Sequence, residues 1–335
     1  MKKFLKWVGG FLGIGTIVFV LGPAPPTPQI DGKLPIVPSN LIQLEQEIIK
    51  LEKNHLTIKP NNEARIIWAD TSKQKTLYSV VYLHGFSASQ LEGEPVHRNF
   101  AKRYGCNLYL SRLEEHGIDT IDIFKNLTPE KLLESAKRAV AIGKQLGEKV
   151  ILMATSAGGM QAIYIASQNS DIEALILYSP LIDLFDPASV LLDKPWGLQI
   201  ANALIGENPR ALPEDKKGEA AYWTKKYKIE GAIALKSLFT ATMTKENFAQ
   251  IKQPVFLGYY YKDEEHQDKV VSVKAMQEMY AQLGTPENLK RKVAFPNANN
   301  HVIASYMKSD DIQSVEKETF KFADEILKLK KKAGF

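Results

Sequence analysis

Three short stretches of this 335-residue chain carry side chains that together could do nucleophilic acyl-transfer chemistry. The first is Val150-Ile151-Leu152-Met153-Ala154-Thr155-Ser156-Ala157-Gly158-Gly159, which reads as a buried strand, a sharp turn and the start of a helix. A serine at the tip of such a turn exposes its hydroxyl, and the residues two before and two after it must be small because strand and helix approach closely there. Ala154 and Gly158 meet that demand, Ala154 standing where the familiar pattern has a second glycine. Ser156 is therefore the candidate nucleophile, and a helix starting near Ala157 would aim its free amides at a developing anion.

The second stretch, Val80-Val81-Tyr82-Leu83-His84-Gly85-Phe86, is an apolar strand ending in His-Gly. A backbone amide just after that strand, paired with the amide following the nucleophile, would form an oxyanion hole, which nominates Phe86 and Ala157. His84 is read as a prop for the loop rather than a proton carrier. The third stretch, Phe295-Pro296-Asn297-Ala298-Asn299-Asn300-His301-Val302, places one of the six histidines in a polar loop after the last expected strand, where His301 could serve as general base. An acid to orient it should follow the preceding strand. Asp268, opening Asp268-Lys269-Val270-Val271-Ser272, is preferred, with Asp263 as the alternative; choosing Asp268 makes Glu264 to Gln267 a small loop insertion.

These positions need a scaffold. Short apolar runs at Ala64–Ala69, Leu77–Leu83, Asn107–Leu110, Val150–Ala154, Ile172–Tyr178, Val255–Tyr261 and Arg291–Phe295 read as strands. Between them lie helical stretches, including one opened by Thr128-Pro129 and ending at Gly147, and a last one from about Ser314 to Lys330. Alternation of this kind implies a mostly parallel sheet covered on both faces, with a ligand site at the carboxyl ends of the strands. Residues 181–251 have helical character without a convincing strand, as expected of a cap inserted between two strands.

With 44% hydrophobic residues the chain can bury one large domain, here residues 41–335, preceded by a proline-rich linker over residues 23–40. Three lysines and an apolar run from Trp7 to Leu21 mark residues 1–22 as an export signal or membrane anchor. An uncleaved anchor is favoured, because Leu21-Gly22-Pro23-Ala24 is a poor cleavage site; the lysines would then keep the tail in the cytoplasm and the catalytic domain outside, at a periplasmic or cell-surface location. Secretion after cleavage is the alternative. The formal charge of +5 sits partly at the two ends, so no nucleic-acid partner is expected, and the solitary Cys106 excludes an intrachain disulfide or a cysteine-based metal site. Neither composition nor pattern fixes an oligomeric state.

The chain order Ser156, Asp268, His301, each after its own strand, matches the α/β-hydrolase fold. From about Ser79 onward the sequence resembles the monoacylglycerol lipase and lysophospholipase-like (serine aminopeptidase-like) hydrolases. The resemblance rests on His84-Gly85-Phe86-Ser87-Ala88-Ser89, Ser111-Arg112-Leu113-Glu114-Glu115-His116-Gly117, the serine turn and the histidine loop. In that group a glycine commonly stands where this chain has Glu115, and the following histidine, here His116, is structural. The resemblance implies an α/β-hydrolase fold, with a mostly parallel sheet, helices on both faces and a helical cap. It also implies hydrolysis of small-molecule or lipid esters through an acyl-enzyme, with no metal or organic cofactor. Peptidase or amidase activity from the same triad, and a non-catalytic binding protein on the same fold, are the competing readings.

Overall fold

The computed structural model describes residues 18–206 and 216–334. Seven strands form one sheet: β1 (Arg65–Ile67), β2 (Thr76–Leu83), β3 (Asn107–Leu110), β4 (Gly147–Thr155), β5 (Ile172–Tyr178), β6 (Val255–Tyr259) and β7 (Lys290–Ala294). Their spatial order is β1-β3-β2-β4-β5-β6-β7, with β1 antiparallel to β3 and every other pairing parallel. The helices are α1 (Leu41–Asn54), α2 (Val96–Tyr104), α3 (Pro129–Leu146), α4 (Ala157–Gln168), α5 (Gly197–Ile205), α6 (Ile229–Thr242), α7 (Lys245–Gln250), α8 (Val273–Gln282) and α9 (Ile312–Glu325).

The side-chain alternation of the central strands divides the core into two layers. Val81, Leu83, Leu152 and Ala154 pack with α3 and α4 on one face. Val80, Tyr82, Ile151 and Met153 pack with α2 and α9 on the other. Burial on both faces is why β2 and β4 read as continuous apolar runs rather than as alternating ones. Helix starts follow local chemistry: the Thr128 hydroxyl accepts the Lys131 N–H at 3.2 Å ahead of Pro129, and the Asn40 side chain accepts the Gln43 N–H at 3.0 Å.

Several boundaries shift from expectation, β4 for example starting at Gly147 rather than Val150, and two shifts have a clear physical cause. β6 stops at Tyr259, because Tyr261 bridges to Gln267 and closes a small loop instead of extending the sheet. The last helix stops at Glu325 rather than near Lys330, since Lys328 takes a left-handed conformation (φ 55°) that returns the buried Leu329 to the core. Between β5 and β6 the chain forms α5, α6, α7 and short 3-10 turns, and no strand occurs there among the described residues. The apolar N-terminal run falls almost wholly on residues 1–17, outside the described residues; among the described ones no helix is long and apolar enough to cross a membrane.

Candidate active site

The chain runs from β2 to β3 on one side and then to β4 on the other side of β2, so the carboxyl ends of β2 and β4 adjoin where the strand order reverses. A crevice outside such a reversal is the usual ligand position in a parallel sheet. Ser156 follows β4 there, with φ 52° and ψ −118°, a backbone conformation that costs a non-glycine residue on the order of 1–3 kcal/mol. The strain is held by fixed neighbours: the Ser156 N–H donates to the Tyr178 carbonyl at 3.0 Å, and its carbonyl accepts from Leu181 N at 2.9 Å. Gly158 must be glycine, for a Cβ there would be driven into the Leu83 carbonyl group and stand 2.7 Å from the His84 oxygen.

Across the crevice, His301 leaves the loop after β7 and Asp268 the loop after β6. The His301 Nδ1 lies 2.6 Å from Asp268 Oδ2, an N–H to carboxylate hydrogen bond. The other carboxylate oxygen of Asp268 accepts the Val270 and Val271 amides at 2.8 and 3.0 Å, so this buried acid is fully engaged. Burial works against a charged imidazole, but the Asp268 carboxylate beside it outweighs burial, with Glu92 adding to the effect, and the proton affinity of His301 is raised above the ordinary imidazole value. Asp263 stands elsewhere: it is exposed, and its Oδ1 binds the Glu265 and His266 amides and the His266 ring.

The two nominated donor amides belong to Phe86 and Ala157. Ala157 N–H is in the first turn of α4, where no intrahelical acceptor exists, and among the described residues neither amide donates to a protein oxygen. The peptide carrying the Phe86 N–H is clamped through its own carbonyl, Gly85 O, which accepts from His84 Nδ1 at 2.9 Å and from Ala88 N at 3.3 Å. His84 Nε2 accepts from the Leu113 amide at 3.1 Å, which assigns the ring proton to Nδ1. Burial lowers the pKa of His84 to about 4, so it holds the loop as a neutral ring. His116 is also buried and kept neutral, wedged under Phe86 and Phe124 at ring separations of 5.6 and 4.6 Å. Glu115 has φ 57°, which explains why a glycine would be the easier residue at that place.

Ser156, Asp268 and His301 line one cavity of about 680 Å³ together with Phe86. One wall is apolar and comes largely from the segment between β5 and β6: Leu181, Leu184, Leu192, Leu235 and Phe239. Part of the lining is polar. There the Lys225 ammonium meets the buried Glu219 carboxylate at 2.6 Å, Lys308 binds the same carboxylate, and Glu92 is buried alongside. The sequence alone assigns no role to this polar part, and nothing in the residue types singles it out, because Glu92, Glu219 and Lys308 meet only through the fold. Among the described residues no group of three or more histidine, cysteine or acidic side chains is arranged to hold a metal.

The parallel sheet, the strained serine turn after β4 and the ordered loops after β6 and β7 define the α/β-hydrolase fold. Solved structures share this fold. One of the metagenome-derived lipolytic enzymes LipS and LipT superposes with a TM-score of 0.62 at 16% identity, covering 79% of this chain and 98% of that chain. Est1E from Butyrivibrio proteoclasticus, with ferulic acid bound, gives 0.54 at 18% identity over 79% of this chain and 95% of its own. A soluble variant of the Saccharomyces cerevisiae monoglyceride lipase, in complex with a substrate analogue, gives 0.53 at 14% identity over 78% and 91%. At such identities the likeness establishes the fold, and function must be argued from the site. No protein-family model matches the chain, and no curated protein is similar to it in sequence.

Proposed function

We propose that this protein is a serine hydrolase of carboxylic esters, with lipid-type acyl chains as its substrates. The observation that carries the reading is one cavity lined by a strained serine and by a histidine hydrogen-bonded to a buried aspartate, next to two amides that have no protein acceptor among the described residues. In this mechanism His301 accepts the Ser156 proton as the hydroxyl oxygen attacks the ester carbonyl carbon. Asp268 holds the imidazole and stabilises the imidazolium, while the Phe86 and Ala157 amides bind the oxyanion. Collapse expels the alcohol, which takes the proton from His301 and leaves an acyl-Ser156; water deprotonated by the same histidine then releases the acid.

The apolar wall supports an acyl chain as the bound group. Each buried methylene contributes about 0.8 kcal/mol, close to fourfold in kcat/KM for every carbon that finds the wall. A p-nitrophenyl ester series from acetate to palmitate, hydrolysed by the full chain, is expected to show kcat/KM rising from the short to the medium acyl lengths. A fall from acetate onward would reject the lipid assignment and leave a general carboxylesterase. Absence of ester turnover, with cleavage of amide substrates, would favour the peptidase reading.

The same proposal keeps residues 1–22 as a tether that holds the site near lipid, on the strength of the lysine-then-apolar order. Intact-mass analysis of the exported protein checks it: Met1–Leu21 should be retained, and a new terminus between Pro23 and Pro28 would show cleavage instead.

A further inference from the structure

We infer that Glu92 is a positioning residue of this site, a second carboxyl that acts with Asp268 on the proton affinity of His301. The inference rests on the serine-hydrolase reading only for its effect on turnover. Glu92 comes from the 3-10 turn Gln90–Gly93 and is 2% exposed. Its Oε2 accepts the Gly85 N–H at 2.5 Å. A Cβ on Gly85 would come within 3.0 Å of both Glu92 oxygens and of the Ser156 Cβ, so this carboxyl, the oxyanion loop and the nucleophile adjoin one another. It also lines the cavity that His301 lines.

Such a group is costly as mere filling, since an amide or an apolar side chain would occupy the space without a charge to desolvate. The charged and titratable groups facing it are Tyr82 from β2 and His301 and Lys308 from the loop after β7. The Tyr82 hydroxyl is committed to Thr155 and the Lys308 ammonium binds Glu219. Burial raises the pKa of Glu92, the Gly85 amide, His301 and Lys308 pull it back, and the result is about 7. The protonation of Glu92 and that of His301 are therefore linked. Ionised Glu92 favours the imidazolium, and the imidazolium in turn favours ionised Glu92.

The test is an NMR titration of the His301 ring in the full chain and in its Glu92→Gln variant, in which the amide oxygen can still accept the Gly85 N–H. Loss of a negative charge lining the same cavity as the imidazole lowers its proton affinity, so the midpoint should move to lower pH. kcat/KM should follow: where the parent's Glu92 is ionised and His301 is still protonated, the variant should be more active, by roughly twofold for every 0.3 by which the midpoint pH falls, and the two should converge at lower pH, where Glu92 is neutral in the parent as well. An unchanged midpoint would overturn the inference and leave Glu92 as a brace for Gly85. If Glu92→Gln does not fold, the reciprocal measurement applies: the infrared carboxyl band of Glu92 in a His301→Gln variant should titrate at higher pH than in the parent, and an unmoved band overturns the inference equally. Both spectroscopic readouts are independent of turnover, so a protein that hydrolyses no ester would reject the proposed function without deciding this point.

Discussion

Ser156→Ala should reduce ester hydrolysis by roughly four to six orders of magnitude, the range expected when the nucleophile of a triad is removed and only binding and oxyanion stabilisation remain. The variant should fold, because the turn is held by the backbone: Ser156 N to the Tyr178 carbonyl, Ser156 O from Leu181 and Met160, and the close approach of Gly158 to Leu83. The hydroxyl accepts no helix-capping bond, so its loss removes chemistry and leaves the helix start intact. Circular dichroism should be unchanged while turnover disappears. A fluorophosphonate provides the second measurement: the Ser156 oxygen should displace fluoride and form a stable phosphonyl ester, located by peptide mass on the segment containing residue 156. Residual turnover within tenfold of the parent, or labelling at another residue, would reject Ser156 as nucleophile.

The parts of this site that are legible in the sequence are those fixed by local constraints. Val150 to Gly159 carries its own explanation, since an apolar strand, a small residue on each side of a serine and a helix start admit few other conformations. The His84-Gly85-Phe86 loop is legible for the same reason, and the structure adds how it is held: the His84 ring clamps the carbonyl of the peptide whose N–H would serve the oxyanion. Glu115 stands where the familiar pattern has glycine; its positive φ explains the usual glycine, since that backbone position is one glycine adopts freely, and nothing in the structure explains the glutamate. Glu92, Glu219, Lys225 and Lys308 are different. Each reads as an ordinary surface charge, and their meeting around one cavity depends on the turn after β2, the segment between β5 and β6, and the loop after β7. The apolar wall is illegible likewise, since the helical character of residues 181–251 does not say which cavity Leu184, Leu192 and Phe239 face. Pairwise contacts between distant segments leave no periodic trace.

The choice between two aspartates shows how far a local pattern can carry and what geometry adds. Asp268→Asn should lower kcat by about 10⁴-fold, whereas Asp263→Asn should cost no more than about twofold. The asymmetry follows from what each carboxylate touches. At Asp268 an asparagine oxygen can still accept the Val270 and Val271 amides, so the loop should keep its shape. The amide nitrogen would then face His301 Nδ1, a donor where an acceptor is needed, and the ring would keep its proton on Nε2. A histidine in that tautomer cannot take the serine proton, and without the carboxylate its raised proton affinity is lost as well. Asp263 binds only the exposed turn Glu265–His266, so its amide replacement perturbs a surface loop. Steady-state kinetics on one medium-chain ester, with the ring tautomer of His301 read by nitrogen NMR, separates the cases. Comparable losses in both variants would mean that the loop's shape matters rather than the charge on Asp268, and the reverse ranking would transfer the acid's role to Asp263.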